Sequence, residues 1–267
     1  MMRGKVYLVG AGPGDPGLIT VRAVDVLRSA EIVLYDRLVN PELLEYPPVG
    51  AQRIFVGKLP HGRGSTQDEI NRLMIEHARS GQTVVRLKGG DPFIFGRGGE
   101  EAQVLRAAGI KFEVVPGVSS FAAAPAYAGI PLTHRKFSSS FCVLTGHEGS
   151  NKTLPAVDWE RLATAADTLV VLMGVETLPR IVARLLAGGR TPETPVVIIQ
   201  RATFARQQVV SGTLENIVAR AQLLEPPAVI VIGDVAALHS SLAWFDEPQR
   251  TLSVKADNGA GQICIDA

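Results

Sequence analysis

Lys5-Val6-Tyr7-Leu8-Val9-Gly10-Ala11-Gly12-Pro13-Gly14-Asp15-Pro16-Gly17 is the stretch on which the fold turns. A short β-favouring apolar run feeds straight into a glycine-proline loop, as a strand does at the carboxyl edge of an α/β sheet. Further runs follow at residues 31–35, 53–56, 83–87 and 111–115, and each reads as a strand. Helical patterns lie between them. Thr66-Gln67-Asp68-Glu69 has the form of a capping box, and Ile70, Leu73, Met74 and Ala78 then recur at helical spacing. Strands alternating with helices predict an α/β unit with a largely parallel sheet.

The same loop invites a dinucleotide reading, and its residues argue against one. A Gly-x-Gly-x-x-Gly pattern begun at Gly10 meets Asp15 where its last glycine should stand. Begun at Gly12 it ends on Gly17, but Pro13 and Pro16 withhold the free N–H groups that a pyrophosphate needs. Asp36, at the end of the second strand, does not rescue the pattern. A nucleotide-dependent oxidoreductase thus lacks its fingerprint. Gly146-His147-Glu148-Gly149-Ser150-Asn151-Lys152-Thr153 looks like a P-loop, but Asn151 replaces the glycine before the lysine and Pro155 interrupts the helix that should follow. It reads as a solvated loop.

Ile130-Pro131-Leu132-Thr133-His134-Arg135 reads as a link, after which a second α/β unit begins. Its expected strands are residues 141–145, 168–173, 195–199 and 228–232. Residues 208–211 add a short one that could form an antiparallel hairpin with 195–199. Leu178, Ile181, Val182, Leu185 and Leu186 form a helix stripe that stops at Gly188-Gly189. The expected fold is therefore α/β in two domains, 1–134 and 135–246, with an interdomain cleft as the ligand site. Residues 247–267 lose periodicity and read as a flexible, functionally silent tail.

The 267 residues carry a formal net charge of +1, with 46% hydrophobic and 20% charged residues. This is ordinary for a globular chain, and it favours neither nucleic acid nor an acidic membrane as partner. Any anionic ligand must meet a local cluster of Arg and Lys. Cys142 and Cys264 make no disulfide framework, and the scattered histidines show no metal-ligand spacing, so no metal is expected. The apolar run at the N-terminus is too short for a signal peptide or a membrane span, which makes the cytoplasm the default location.

The segment Arg86-Leu87-Lys88-Gly89-Gly90-Asp91-Pro92-Phe93-Ile94-Phe95-Gly96-Arg97-Gly98-Gly99-Glu100-Glu101 crowds glycines, charges and aromatics at the end of a strand. Glycines there let backbone approach a ligand closely, and one turn has no need of so many special residues. This segment is joined by Val9-Gly10-Ala11-Gly12-Pro13-Gly14-Asp15, Tyr35-Asp36-Arg37-Leu38-Val39, Val56-Gly57-Lys58, Pro116-Gly117-Val118-Ser119-Ser120 and the run from Gly129 to Arg135. Together they resemble the uroporphyrinogen-III C-methyltransferases, members of the class III, tetrapyrrole-type methyltransferases. The likeness runs from about Lys5 to about Leu242. The glycine-proline loop is common to the superfamily; the segments at 35–39 and 86–101 are far more specific.

The resemblance implies a homodimer that binds S-adenosylmethionine in the cleft and releases S-adenosylhomocysteine. It implies methylation of uroporphyrinogen III at C-2 and C-7, giving precorrin-2 by way of precorrin-1 for sirohaem, cobalamin or haem d1. Dehydrogenation and iron insertion are not expected, because the chain lacks the extra N-terminal domain of the fused sirohaem synthases. The implied cofactor contacts are Pro13, Gly89, Gly90, Asp91, Ile94, Ser119, Ser120, Met173, Ala202 and Ala228. Ser119-Ser120 and Arg201-Ala202 depart from the family's common Thr-Ala and Asn-Gly. Asp36 corresponds to the proposed proton acceptor and Lys58 to the proposed donor. Arg97, Glu100, Arg135 and Met173 correspond to substrate-binding or catalytic positions. A later precorrin C-methyltransferase is the alternative within the superfamily, and a non-catalytic tetrapyrrole carrier the alternative outside it.

The chemistry agrees with the residues. A sulfonium methyl is already activated, so the enzyme must mainly align carbon, methyl and sulfur. The methylated ring system must then lose a proton, for which Asp36 is a credible base. Guanidinium stays protonated, so Arg97 suits a carboxylate clamp better than a base. Arg37, Lys58, Arg63, Arg97 and Arg135 all fall in motif loops and supply positive charge for a polycarboxylate. Taken alone, Tyr35 and Phe95 suit a core better than ligand stacking. The Met173 thioether, at the end of an apolar strand, suits core packing and contact with a cofactor or substrate equally.

Overall fold

The computed structural model describes residues 4–57, 64–147 and 157–245. Lys58, Arg63, the tail from 246 onward and most of the P-loop lookalike lie outside them. The first half forms a sheet of β1 (Lys5–Gly10), β2 (Ile32–Tyr35), β3 (Gln52–Phe55), β4 (Val84–Lys88) and β5 (Lys111–Val115). Their order is β3-β2-β4-β1-β5, and every pairing is parallel. Parallel pairing needs crossovers, and α1 (Val21–Arg28), α2 (Gln67–Arg79) and α3 (Gly98–Ala107) provide them.

Strand side chains alternate between the two helical layers, so the apolar runs are buried on both faces. Val6, Leu8, Ile32, Leu34 and Val84 pack against Ile70, Met74 and Ala78 of α2 and Ala102 and Leu105 of α3. Val9, Val33, Val85 and Leu87 face Ala23, Val26 and Leu27 of α1. The expected capping box opens α2: the Thr66 hydroxyl accepts from Glu69 N at 3.2 Å, and Thr66 N donates to Glu69 Oε2 at 2.6 Å.

The second sheet contains β6 (Phe141–Thr145), β7 (Thr168–Leu172), β8 (Pro195–Gln200), β9 (Gln208–Thr213) and β10 (Ala228–Ile232), in the order β6-β7-β10-β8-β9. Only β6 and β7 pair in parallel; β7-β10, β10-β8 and the expected β8-β9 hairpin are antiparallel. One face is covered by α6 (Leu178–Ala187) and the single turns α5 (Trp159–Leu162) and α7 (Ile217–Arg220). The α6 helix ends in a Schellman motif, with Gly189 at φ +92° and Arg190 N donating to Leu185 O at 3.0 Å. The other face takes α4 (Ser120–Tyr127), whose Ala124, with Ala128 and Ile130 beyond it, packs on Val170, Val197, Val229 and Val231. Residues that precede the link at 130–135 thus help to build the second core. The last described turn, α8 (His239–Leu242), is tied to the end of α4 through His239 Nδ1 and the Ala128 carbonyl, 2.6 Å apart.

Thr66→Ala removes one half of the capping box and should lower stability by about 1 kcal/mol. The expected sign is a lower urea midpoint at unchanged m.

Candidate active site

The loops that leave β1, β4 and β5 meet backbone to backbone. Gly12 N donates to Gly90 O at 3.2 Å and Gly90 N to Gly12 O at 2.7 Å, so the two loops form a small bridge beyond the sheet. A Cβ on Gly10 would lie 2.5 Å from Gly117 Cα, and one on Gly117 would overlap Gly90 O. Gly90, at φ +67°, has its open side toward Ser119 and Ser120, both 3.9 Å from where a Cβ would sit. The Asp91 carboxylate fixes this crossing: Oδ2 accepts from Gly117 N at 3.0 Å and Oδ1 from Phe93 N at 2.8 Å. The structure thus gathers Gly89, Gly90, Asp91, Ser119 and Ser120, as a shared role requires.

The glycine-proline loop then reaches the second sheet. Asp15 N donates to the Thr203 hydroxyl at 2.9 Å, and Tyr127 Oη donates to Asp15 Oδ2 at 2.8 Å. At Gly14 a Cβ would strike the Phe204 ring. After β1 comes a short 3-10 turn, Pro16–Leu18, capped by Asp15, and α1 begins only at Val21. No long helix therefore presents its N-terminus at this loop. Because β10 runs antiparallel to β7 and β8, its first residue, Ala228, pairs with Gln200 at the end of β8, and Val229 pairs with Leu172. Met173, Ala202 and Ala228 therefore share one edge, and Thr203 joins that edge to the first sheet.

Backbone strain concentrates here. Among the described residues, the non-glycine positions with positive φ are Phe95 (51°), Arg97 (59°), Met173 (54°), Arg201 (49°) and Thr203 (69°). All lie in loops that follow β4, β7 or β8, and such strain persists where surroundings over-determine it, often at functional sites. Phe95, expected in a core, is 46% exposed next to exposed Phe93 and Ile94, and Met173 is 50% exposed. Tyr35 is half-buried and meets Phe55 edge to face.

Arg97 caps α3 and pairs with Glu100 at 2.6 Å, both side chains being more than half exposed. The hydrogen bond to Glu100 holds Arg97 above its ordinary value, and the same bond holds Glu100 below its own. A guanidinium so held stays protonated. Asp36 accepts from Leu38 N at 3.0 Å through Oδ1, and its Oδ2 lies 3.6 Å from Arg86 Nη2. Arg37 and Leu38 are exposed, and the Leu38 side chain packs on Gly89. Arg135 lies in the turn that leads into β6, which Ser138 Oγ ties to Thr168 at the start of β7, 2.8 Å apart. At the start of β6, Phe141 stacks on Phe121, the neighbour of Ser120.

Sequence reasoning missed the cluster beneath Asp36. Arg86 Nε and Lys88 Nζ each approach Glu101 Oε1 at 3.2 Å, with side chains 5%, 6% and 0% exposed. Gln67 Nε2 donates to the same oxygen at 3.2 Å, and among the described residues Glu101 Oε2 has no partner. Burial chiefly, and then neighbouring Arg86, push Lys88 below its ordinary value against the pull of Glu101. The available signal was two cations in a strand otherwise made of Val and Leu. Among the described residues, no group of His, Cys, Asp and Glu side chains could hold a metal ion.

A parallel α/β layer joined at one edge to a mixed one defines a class of ligand-binding α/β proteins, and comparison with known proteins narrows it. Residues 5–218 match the Tetrapyrrole (Corrin/Porphyrin) Methylases. The uroporphyrinogen-III C-methyltransferase of Bacillus subtilis (strain 168) is 51% identical over 92% of this chain, which spans about half of that relative (51%). The S-adenosyl-L-methionine-dependent uroporphyrinogen III methyltransferase of Methanosarcina barkeri is 50% identical over 90% of the chain and 94% of its own length. The crystal structure of the Thermus thermophilus uroporphyrin-III C-methyl transferase complexed with S-adenyl homocysteine superposes with a TM-score of 0.76. It shares 42% identity, covering 88% of this chain and 100% of that one. The chain belongs to the tetrapyrrole methylase family and, within it, to the uroporphyrinogen-III C-methyltransferases.

Two outcomes follow from the buried cluster. Glu101→Ala strands two buried cations and should destabilise the fold by about 3 kcal/mol or more in denaturant melts. The pH effect of Lys88 has a definite sign. Its folded value lies below 10.5, so in the window just beneath 10.5 the unfolded chain binds more protons and stability rises with pH. Denaturant melts of wild type and Lys88→Met through that window should show the rise in wild type and its loss in the variant.

Proposed function

We propose that this chain catalyses the S-adenosylmethionine-dependent C-methylation of uroporphyrinogen III at C-2 and C-7, giving precorrin-2 by way of precorrin-1. The observation that carries this reading is the convergence of Pro13, Gly89, Gly90, Asp91, Ser119 and Ser120 with the edge holding Met173, Ala202 and Ala228, locked by the Asp15–Thr203 bond. The residues fit the cofactor: glycines without room for a Cβ let the three loops meet closely, and Gly90 has open space beside Ser119. Those residues, with exposed Ile94, would hold S-adenosylmethionine. When bound, it supplies an activated sulfonium methyl.

The chain's own side chains then position the substrate and move a proton. Arg97, kept charged by Glu100, clamps substrate carboxylates with a planar fork. Arg37 adds exposed charge in the adjoining loop, and Met173 offers its exposed thioether from the facing edge. Asp36 accepts the proton that the methylated ring system loses, and Lys58 donates one. Arg135 joins the substrate set by its motif. The working unit is a homodimer in the cytoplasm; among the described residues, no helix is long and apolar enough to cross a membrane. The functional units are 1–134 and 135–246, followed by a silent tail at 247–267, with α4 reaching from the first unit onto the second sheet.

Purified protein incubated anaerobically with uroporphyrinogen III and S-adenosylmethionine should add two methyl groups, read by mass spectrometry. Cofactor binding without methyl gain would redirect the reading to later precorrins, and neither binding nor gain would sink it. In the same assay, Asp36→Asn should cut single-turnover rates by about 10²–10⁴ with cofactor affinity retained.

A further inference from the structure

Arg86 and Lys88 stand on the middle strand of the first sheet, where Val84, Val85 and Leu87 show what the position otherwise accepts. A buried ionic cluster is typically no more stabilising than hydrocarbon of the same volume. Its presence asks for a reason other than stability, and its geometry supplies one. The Arg86 guanidinium is fixed on three sides: Nε donates to Glu101 Oε1 at 3.2 Å, and Nη1 to Leu87 O at 3.1 Å and Leu34 O at 3.4 Å. The remaining Nη2 is left facing Asp36 Oδ2 at 3.6 Å. Lys88 and Gln67 hold the Glu101 carboxylate from behind.

We infer that Arg86 is a positioning residue for Asp36, and that Glu101, steadied by Lys88 and Gln67, is the support that aims it. The inference rests on the proposed role of Asp36 as proton acceptor. Asp36 has two holds, the Leu38 N–H and Arg86. Arg37 and Arg97 are exposed and open to the carboxylates of an arriving polycarboxylate; Arg86, 4% exposed, is out of their reach. A buried cation therefore keeps the base in place while exposed cations engage the substrate. Without it the Asp36 carboxylate, on an exposed loop, is free to turn toward those same exposed cations.

A double-mutant cycle tests this, because a contact that acts through Asp36 has no effect once Asp36 cannot act. Arg86→Lys keeps a cation facing Glu101 but loses the fork. It should lower kcat about tenfold or more, as misplacement of a reacting group does, with KM and S-adenosylhomocysteine affinity within about twofold of wild type. In an Asp36→Asn background the same substitution should change the rate little. Equal slowing in both backgrounds would overturn the inference and leave Arg86 a structural residue. Full turnover by Asp36→Asn alone would instead remove Asp36 from the chemistry, and the inference with it. If Arg86→Lys does not fold, Glu101→Asp, which keeps the anion but shortens its reach to Nε, takes its place in the cycle with the same expected pattern.

Discussion

At the ends of β1, β4 and β5 three backbones come closer than side chains allow. Gly10, Gly90 and Gly117 lie against one another, and a Cβ on Gly10 would sit 2.6 Å from Gly90 O. The Gly12–Gly90 bridge and the Asp91 carboxylate then set the directions in which the chain leaves. From that crossing, one loop runs to Thr203 on the second sheet, one becomes the strained turn into α3, and one enters α4. The candidate cofactor surface, the Arg97–Glu100 pair and the packing of α4 on the second sheet all depend on it.

Electrostatics follow the same division of labour. A net charge of +1 conceals two populations of cations. Exposed Arg37 and Arg97 stand in loops where a polyanion can reach them. Arg86 and Lys88 are sealed beneath α3 with Glu101, in surroundings where an unpaired charge is costly and a paired one is held in fixed geometry. Sequence-wide charge says nothing of this, because it averages over depth.

The local pattern of the chain made much of the fold legible. Apolar runs located the strands of both sheets, Thr66 and Glu69 announced the start of α2, and Gly188-Gly189 announced the end of α6. Those signals are short-range: capping, periodicity and turn chemistry. The hairpin of β8 and β9 was likewise readable from proximity in the chain. What stayed hidden depends on partners far away. The alanine-rich α4 carries little amphipathic pattern, and its packing on the second sheet is a tertiary choice. The Arg86–Glu101 cluster stayed hidden because burial of a charged strand residue cannot be seen in its neighbours. Phe95 suited a core by composition, yet it and Met173, both at positive φ, are exposed. Within the site, the motif segments were legible from resemblance; the lock through Thr203 and Tyr127 was not.

That lock has a consequence for how the molecule assembles. Asp15 and Thr203 are 188 residues apart in the chain, and Asp15 and Tyr127 are 112 apart. The strands of the first sheet can pair once residues 5–115 are available, but the shared edge has no Thr203 until most of the chain has emerged and β8 is in place. Contacts of such long range carry the largest loop-closure entropy and are rewarded late. The candidate cofactor surface thus needs nearly the whole chain before its last polar contacts, Asp15–Thr203 and Tyr127–Asp15, can close.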